Sequence, residues 1–331
     1  MKYLNIATAD SEIEVSKIVL GTTHFGSKIP DNEVFEIIDR YAGLGGNAID
    51  TARVYGDWGD TGNAASERVC GNWLRGLGAD RNKFILATKG GHYRIKSRNI
   101  SRVTYEDIKT DIELSLENLK TYIDIYFLHR DNPLLPVEKI MPVFDEYIRA
   151  GDIRAIGASN WKRERIDEAN RFCRANGLQP FTVSEIQWSL AQLDEKTLPL
   201  AFGNDPTICG MEAGEYDKYT AGDLPIFCFT SIAWGFFGKY ISGKGSMPNE
   251  AIRKACETPE NFRRLEIVRH WSEKTGLNPI ALSVAYLTGH RLPAAALVGC
   301  SRAEQLDELM AAPDYVPDPE FYREIGLGSS L

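Results

Sequence analysis

Several residue patterns from which sites are commonly built are scarce in this chain. Its 331 residues hold five histidines and six cysteines, and neither set is spaced as a metal site would be. No H-E-x-x-H occurs. Cys70, Cys173, Cys209, Cys228, Cys256 and Cys300 form no C-x-x-C pair, which argues against zinc ribbons and dithiol redox motifs and leaves buried, reduced thiols as the expectation. No metal is therefore expected. Basic clusters are missing too: the formal net charge is −8, the pI is near 5.3, and Lys and Arg form no run. Nucleic acid and anionic lipid need a basic patch, so neither is an expected partner. No stretch approaches the ~20 apolar residues of a membrane helix, and Met1 to Asp10 lack the apolar core of a signal peptide. A cytoplasmic location is the resulting expectation. Heptads, low-complexity linkers and internal repeats are also missing. One domain over residues 1–331 and a monomeric state are the defaults.

What is present is a regular alternation of strand and helix patterns. After a short polar lead-in, read as a hairpin across the barrel floor, come strands at residues 17–21, 47–50, 84–89, 123–129, 153–160, 181–188, 225–230 and 294–299. Between them lie helical patterns. Pro30 and acidic residues open the first, and Thr104-Tyr-Glu-Asp107 caps the helix that reaches Leu119. Further helices are expected over residues 65–77, 137–150 and 163–175. Ser301-Arg-Ala-Glu304 reads as a capping box for a last helix to Ala311. Eight strands alternating with helices favour an α/β fold of the (β/α)₈ barrel type. A doubly wound sheet is the lesser option, because no G-x-G-x-x-G follows the first strand. Leu198 to Leu224 breaks the rhythm as a long loop rich in Gly, Pro and acids, a candidate lid.

Three successive strands finish on an ionisable residue: Asp50, Lys89 and His129, with Tyr55 in the loop after the first. In a parallel barrel these ends share one face, where catalytic groups gather. A carboxylate at the end of an apolar strand needs a partner, and Lys89 would serve Asp50. An ammonium beside Tyr55 would favour proton loss from a phenol whose ordinary pKa is about 10. His129 would orient a substrate carbonyl. Taken singly, each has an unremarkable explanation as ion pair, core imidazole or loop aromatic. Together they point to catalysis.

The contexts DTARVYGD, LATKGG and IDIYFLHR around these residues resemble the aldo-keto reductases, over most of the chain from Ile18 to Leu306. The resemblance implies a nicotinamide cofactor, NADP preferred and NAD possible, and reduction of an aldehyde or ketone with Tyr55 as proton donor. It places Ser159 and Asn160 at the nicotinamide carboxamide and Phe229 against the ring. Thr22 falls near the ribose, and Thr230, Ile232 and Gly235 lie on the pyrophosphate side. Gly299, Ser301, Arg302 and Gln305 fall at the phosphate and adenosine end, where a helix N-terminus attracts an anion. His24, Phe25, Trp58, Trp188 and Trp234 are candidate pocket residues, suited to aromatic carbonyls or to the apolar faces of sugars.

Three positions depart from the family. Glu185 stands where Gln usually contacts the carboxamide, and an ionised Glu accepts but cannot donate; Gln187, on the same strand face, is a candidate substitute. Ser301 and Leu309 replace the Arg and Asn that many members carry, which weakens the case for a 2′-phosphate. The same fold also serves non-catalytic, cofactor-binding regulatory subunits such as the β subunits of ion channels, so that reading stands as the alternative. A metal-dependent barrel hydrolase is disfavoured, since His and carboxylate residues do not cluster.

Overall fold

The strands of this chain are short, apolar and buried on both faces, the signature of a parallel sheet covered by helices. The structure, a computed structural model, describes residues 2–58, 64–193, 196–243 and 245–326. Strands β1 (Tyr3–Ala7) and β2 (Glu12–Ser16) form an antiparallel hairpin. Eight parallel strands then close a barrel: β3 (Ile18–Gly21), β4 (Ala48–Asp50), β5 (Ile85–Gly90), β6 (Ile123–Leu128), β7 (Ile153–Ser159), β8 (Val183–Gln187), β9 (Ile226–Phe229) and β10 (Ala294–Val298), with β10 paired back to β3. The fold is a (β/α)₈ barrel.

Alternate strand residues point into the barrel and fill it. Val19, Ala48, Ile85, Ala87, Ile125, Phe127, Ala155, Val183, Phe227 and Ala295 form this interior, joined by Leu4, Ile6, Ile13 and Val15 of the hairpin. Gly157 makes room for Phe127: a Cβ there would lie 2.4 Å from the phenyl ring. The hairpin closes the N-terminal end of the barrel. Asn47, just before β4, ties it there by accepting from Ser16 N at 2.8 Å and donating to Glu14 O at 2.8 Å. Only the C-terminal ends of the strands are left open.

The remaining strand residues face the helices. Tyr41, wholly buried, donates to Ile18 O at 2.7 Å and so fastens the helix Asp31–Gly43 to the barrel. Thr104 caps the helix Tyr105–Leu119 by accepting from Asp107 N at 3.2 Å. The helix Arg163–Ala175 has the bounds expected from its pattern.

Three expected elements differ. Residues 137–150 are not one helix: 3₁₀ turns at Val137–Lys139 and Met141–Phe144 precede a short α-helix, Asp145–Ala150. Pro142 has no N–H for a continuous ladder. The long loop contains helices Leu198–Ala201 and Ala213–Thr220. The last βα helix begins at Gln305, not after Ser301, with no side-chain cap from the expected box. Gln305 itself reaches back, its Oε1 accepting from Ser301 N at 2.8 Å and Arg302 N at 3.1 Å. Among the described residues no helix is long and apolar enough to cross a membrane, and no group of His, Cys, Asp and Glu is arranged to hold a metal.

Candidate active site

β4 and β5 run side by side with Asp50 opposite Ala87, so Lys89, two residues further, presents its side chain to the same interior one layer higher. Asp50 and Lys89 are 1% and 0% exposed, and their side chains form an ion pair. Lys89 Nζ also donates to Thr51 O at 3.1 Å and stands 3.4 Å from the Tyr55 hydroxyl. Turns after β4 set the phenol: Tyr55 N bonds to Ala52 O at 3.0 Å, and Arg53 pairs with Asp57 at 2.6 Å. His129 follows β6 directly, its N–H donating to Gly90 O at 2.8 Å. Its ring lies 6.0 Å from that of Tyr55, centroid to centroid. The four strand-end residues therefore converge.

Their charge states follow from burial and neighbours. Burial works against the Lys89 charge, but Asp50 and Glu185 outweigh it and hold the ammonium protonated. Burial raises the Tyr55 pKa; Lys89 opposes this, while Asp50 and Glu185 reinforce it. The net direction is upward, not downward as an isolated Tyr–Lys pair implies. Tyr55 is thus kept as a phenol, the state a proton donor requires. Burial and the nearby Arg130 cation hold His129 neutral. Its Nδ1 is buried without a partner. An unmet acceptor costs less here than an unmet N–H would, which puts the ring proton on Nε2.

A second imidazole stands beside it. His92 lies 4.7 Å from His129 between centroids, with Nδ1 2.7 Å from Tyr93 O. Burial, then Arg130, lowers its pKa to about 3. The unfolded chain binds this proton near pH 6.5 and the folded chain does not, so stability is lost as pH falls from about 6.5 towards 3. The urea midpoint is expected to drop over that window, and less steeply in a His92→Gln variant; identical slopes would place the acid sensitivity elsewhere.

A cleft of about 720 Å³ opens above these groups at the C-terminal ends of the strands. Its wall includes Tyr55, His129, Asn160, Glu185, Phe229, Thr230, Ile232, Gly299, Ser301 and Gln305, together with His24, Phe25, Trp58 and Trp234. The backbone is strained along one side. Asn160, Thr230, Ala233 and Trp234 have φ of 61°, 53°, 46° and 54°. For the β-branched Thr230 this is a genuine outlier, and such strain gathers at ligand sites.

Other expected residues stand elsewhere. Thr22 is fully buried, donating to Asp50 O at 2.9 Å and bonded to Ser66, and its neighbour Thr23 faces the cleft. Ser159 sits one layer behind, donating to Glu185 Oε1 at 3.3 Å. Gly235 and Arg302 are not part of the wall described. Gln187 is buried and bonds to Ser189, so it does not substitute for Glu185. Trp188 packs against Tyr216, Tyr286 and His290, away from the cleft. Leu309 is buried in the core.

Sequence reasoning singled out the 198–224 excursion as a candidate lid but missed the cleft residues Tyr93, Arg130, Phe202, Asp205 and Ile208. Asp205 accepts from Arg130 Nη2 at 3.0 Å and from the Tyr93 hydroxyl at 2.7 Å. Burial would raise its pKa, but Arg130, Thr207 and Tyr93 hold it below the usual carboxylate range. Cys209 N donates to Asn160 Oδ1 at 3.1 Å. These bonds fasten the excursion across the cleft, where Phe202, Asp205 and Ile208 complete the wall. A local hint to the Tyr93 side was the polar run His92-Tyr-Arg94 after β5.

Comparison with known proteins agrees with this geometry. The sequence pattern of the Aldo/keto reductase family matches residues 17–326. Norsolorinic acid reductase stcV of Emericella nidulans is 27% identical over 92% of this chain and 76% of its own length. The aryl-alcohol dehydrogenase [NADP(+)] of Phanerodontia chrysosporium is 26% identical over 93% of this chain and 81% of its own. A Schizosaccharomyces pombe protein, whose name places it among voltage-gated potassium channel β subunits, is 26% identical over 85% and 80%. With its barrel closed, its strand-end residues converged and the family pattern spanning nearly the whole chain, this protein belongs to the aldo/keto reductase family.

Proposed function

We propose that the chain is an NADP-dependent carbonyl reductase that converts an aldehyde or ketone to the alcohol, reversibly, with Tyr55 as general acid. The observation that carries this reading is the placement of the Tyr55 phenol, 3.4 Å from Lys89 Nζ and beside a neutral His129, at the open end of the barrel. A bound nicotinamide supplies the hydride. The protein's part is to hold and orient: His129 donates from Nε2 to the substrate carbonyl oxygen, Tyr55 gives its proton to that oxygen, and Lys89 stabilises the phenolate left behind.

The wall fits such a cofactor. The strained turn that holds Thr230 and Trp234, both at positive φ, borders the cleft. Asn160 and Glu185, with Ser159 behind them, would hold the carboxamide and Phe229 the ring face. Thr230, Ile232 and Gly235 would follow the pyrophosphate, with Gly299, Ser301, Arg302 and Gln305 at the adenosine end. A phosphate needing the Ser301 and Arg302 amides has to displace the Gln305 side chain, which accepts from both. The printed name of the Phanerodontia relative supports NADP over NAD.

Phe25, Trp58, Phe202 and Trp234 suit an aromatic carbonyl, and the name of the aryl-alcohol dehydrogenase relative favours that class. The substrate is a small molecule; nucleic acid and membrane have no part in this reading, and the chain works as a monomer in the cytoplasm. The 198–224 excursion, fastened by Asp205, serves as the lid. A regulatory, non-catalytic subunit is the second reading, favoured by the potassium-channel relative. Titration with NADPH and NADH, followed by NADPH consumption with a panel of aromatic and sugar aldehydes, separates them. Turnover supports the enzyme; tight binding without any turnover supports the subunit; no binding of either nucleotide refutes both.

A further inference from the structure

Two carboxyl groups share one ammonium at the base of the cleft. Lys89 Nζ contacts Asp50 and lies 3.4 Å from Glu185 Oε1, and none of the three side chains is more than 4% exposed. Asp50 Oδ1 and Glu185 Oε2 are buried without another partner, and the two carboxyls are within hydrogen-bonding reach of each other. Ionised carboxylates only accept, so one proton held between them is what satisfies both. A single cation does not neutralise two buried anions. The titratable groups facing Glu185 are Asp50 from β4, Tyr55 from the loop after it, Lys89 from β5 and Cys228 from β9. Only Lys89 among them is cationic. Burial, then Asp50, push the Glu185 carboxyl up to about 8 against the pull of Lys89. At neutral pH one proton is therefore held by this pair of carboxyls, with Lys89 as the cation beside them.

We propose that Glu185 is a proton-switched positioning residue, protonated beside a neutral, reduced nicotinamide and ionised beside the cationic, oxidised ring. The proposal rests on the nicotinamide reading above. In its protonated state Glu185 shares its O–H with Asp50 and keeps a carbonyl oxygen to accept from the carboxamide, as a glutamine would. Loss of that proton to solvent leaves a carboxylate in a poorly solvated site, where it attracts a positive ring strongly. Glutamine has no proton to lose. The substitution thus ties the preference for oxidised over reduced cofactor to pH, with alkaline conditions favouring the oxidised form.

The test is calorimetric titration with NADP⁺ and with NADPH, in two buffers of different ionisation enthalpy at neutral pH. Wild type and Tyr55→Phe are expected to release up to about one proton per NADP⁺ bound and none with NADPH. Glu185→Gln should release none with either. In wild type the NADP⁺ affinity should climb by up to about tenfold per pH unit on approaching pH 8, and stay flat in Glu185→Gln. NADP⁺ binding to wild type without proton release overturns the proposal alone, as does release that survives in Glu185→Gln or vanishes in Tyr55→Phe. Failure of both nucleotides to bind overturns the cofactor reading and this proposal with it.

Discussion

Tyr55→Phe is expected to lower turnover by roughly 10²–10⁴-fold while leaving NADPH affinity within a few-fold of wild type. The substitution removes one oxygen from a largely buried ring and leaves its packing against Trp58 and His129, at centroid distances of 5.9 and 6.0 Å, in place. What disappears is the proton. Lys89 cannot replace it as the donor, because the Asp50 carboxylate in contact with it holds its ammonium against deprotonation. Neither can His129, whose neutral ring has no acidic proton to give near neutrality. Single-turnover measurement of NADPH oxidation is the check, and turnover within tenfold of wild type would remove Tyr55 from its assigned role.

Lys89→Met should cost both activity and stability. Among the described residues the ammonium is the one cation in contact with Asp50, and its loss leaves two buried carboxyls facing each other. Breaking a buried pair in this way costs about 3–5 kcal/mol. Part of that loss is avoided when both carboxyls take up protons. The chemical denaturation midpoint should therefore fall, and fall further as pH rises and those protons are lost. Adding Asp50→Asn to Lys89→Met should restore part of the stability and none of the turnover, since the two sites are coupled. An unchanged midpoint in the single variant would mean that the ion pair contributes nothing net. Turnover kept at the wild-type level would deny Lys89 any part in stabilising the phenolate.

Much of this was legible in the chain because a parallel barrel converts sequence position into place. A residue at the C-terminal end of an apolar strand has one destination, so Asp50, Lys89 and His129 were readable one strand at a time. Asn160, Glu185 and Phe229 were readable through the resemblance to the aldo-keto reductases. Legibility failed wherever a partner lay far along the chain. Nothing near Asp205 signals that it binds Arg130, 75 residues away. One-residue offsets failed too. Thr22 and Thr23 are alike in sequence, but hydrogen bonds to Asp50 O and Ser66 turn the first inward and leave the second at the cleft. Trp188 continues a strand whose pleat ends at Gln187, and beyond it the chain turns the indole towards Tyr286. At Ser301 the capping pattern was genuine chemistry in the wrong register: Gln305 supplies the acceptor that Glu304 was expected to supply. The upward shift of Tyr55 was hidden because it arises from burial and from carboxyl groups on separate strands that oppose Lys89.

The hairpin under the barrel divides labour between the two ends of the molecule. Leu4, Ile6, Ile13 and Val15 seal one end with the same apolar cluster that fills the barrel, so that end carries cohesion and little else. The opposite rim carries the candidate site on segments that contribute less to this cluster. Selection can therefore rewrite the rim, exchanging a wall residue or an excursion for another, while the sealed end keeps the chain foldable. Relatives about a quarter identical over nine-tenths of this chain, yet named for different substrates, are what such a division permits.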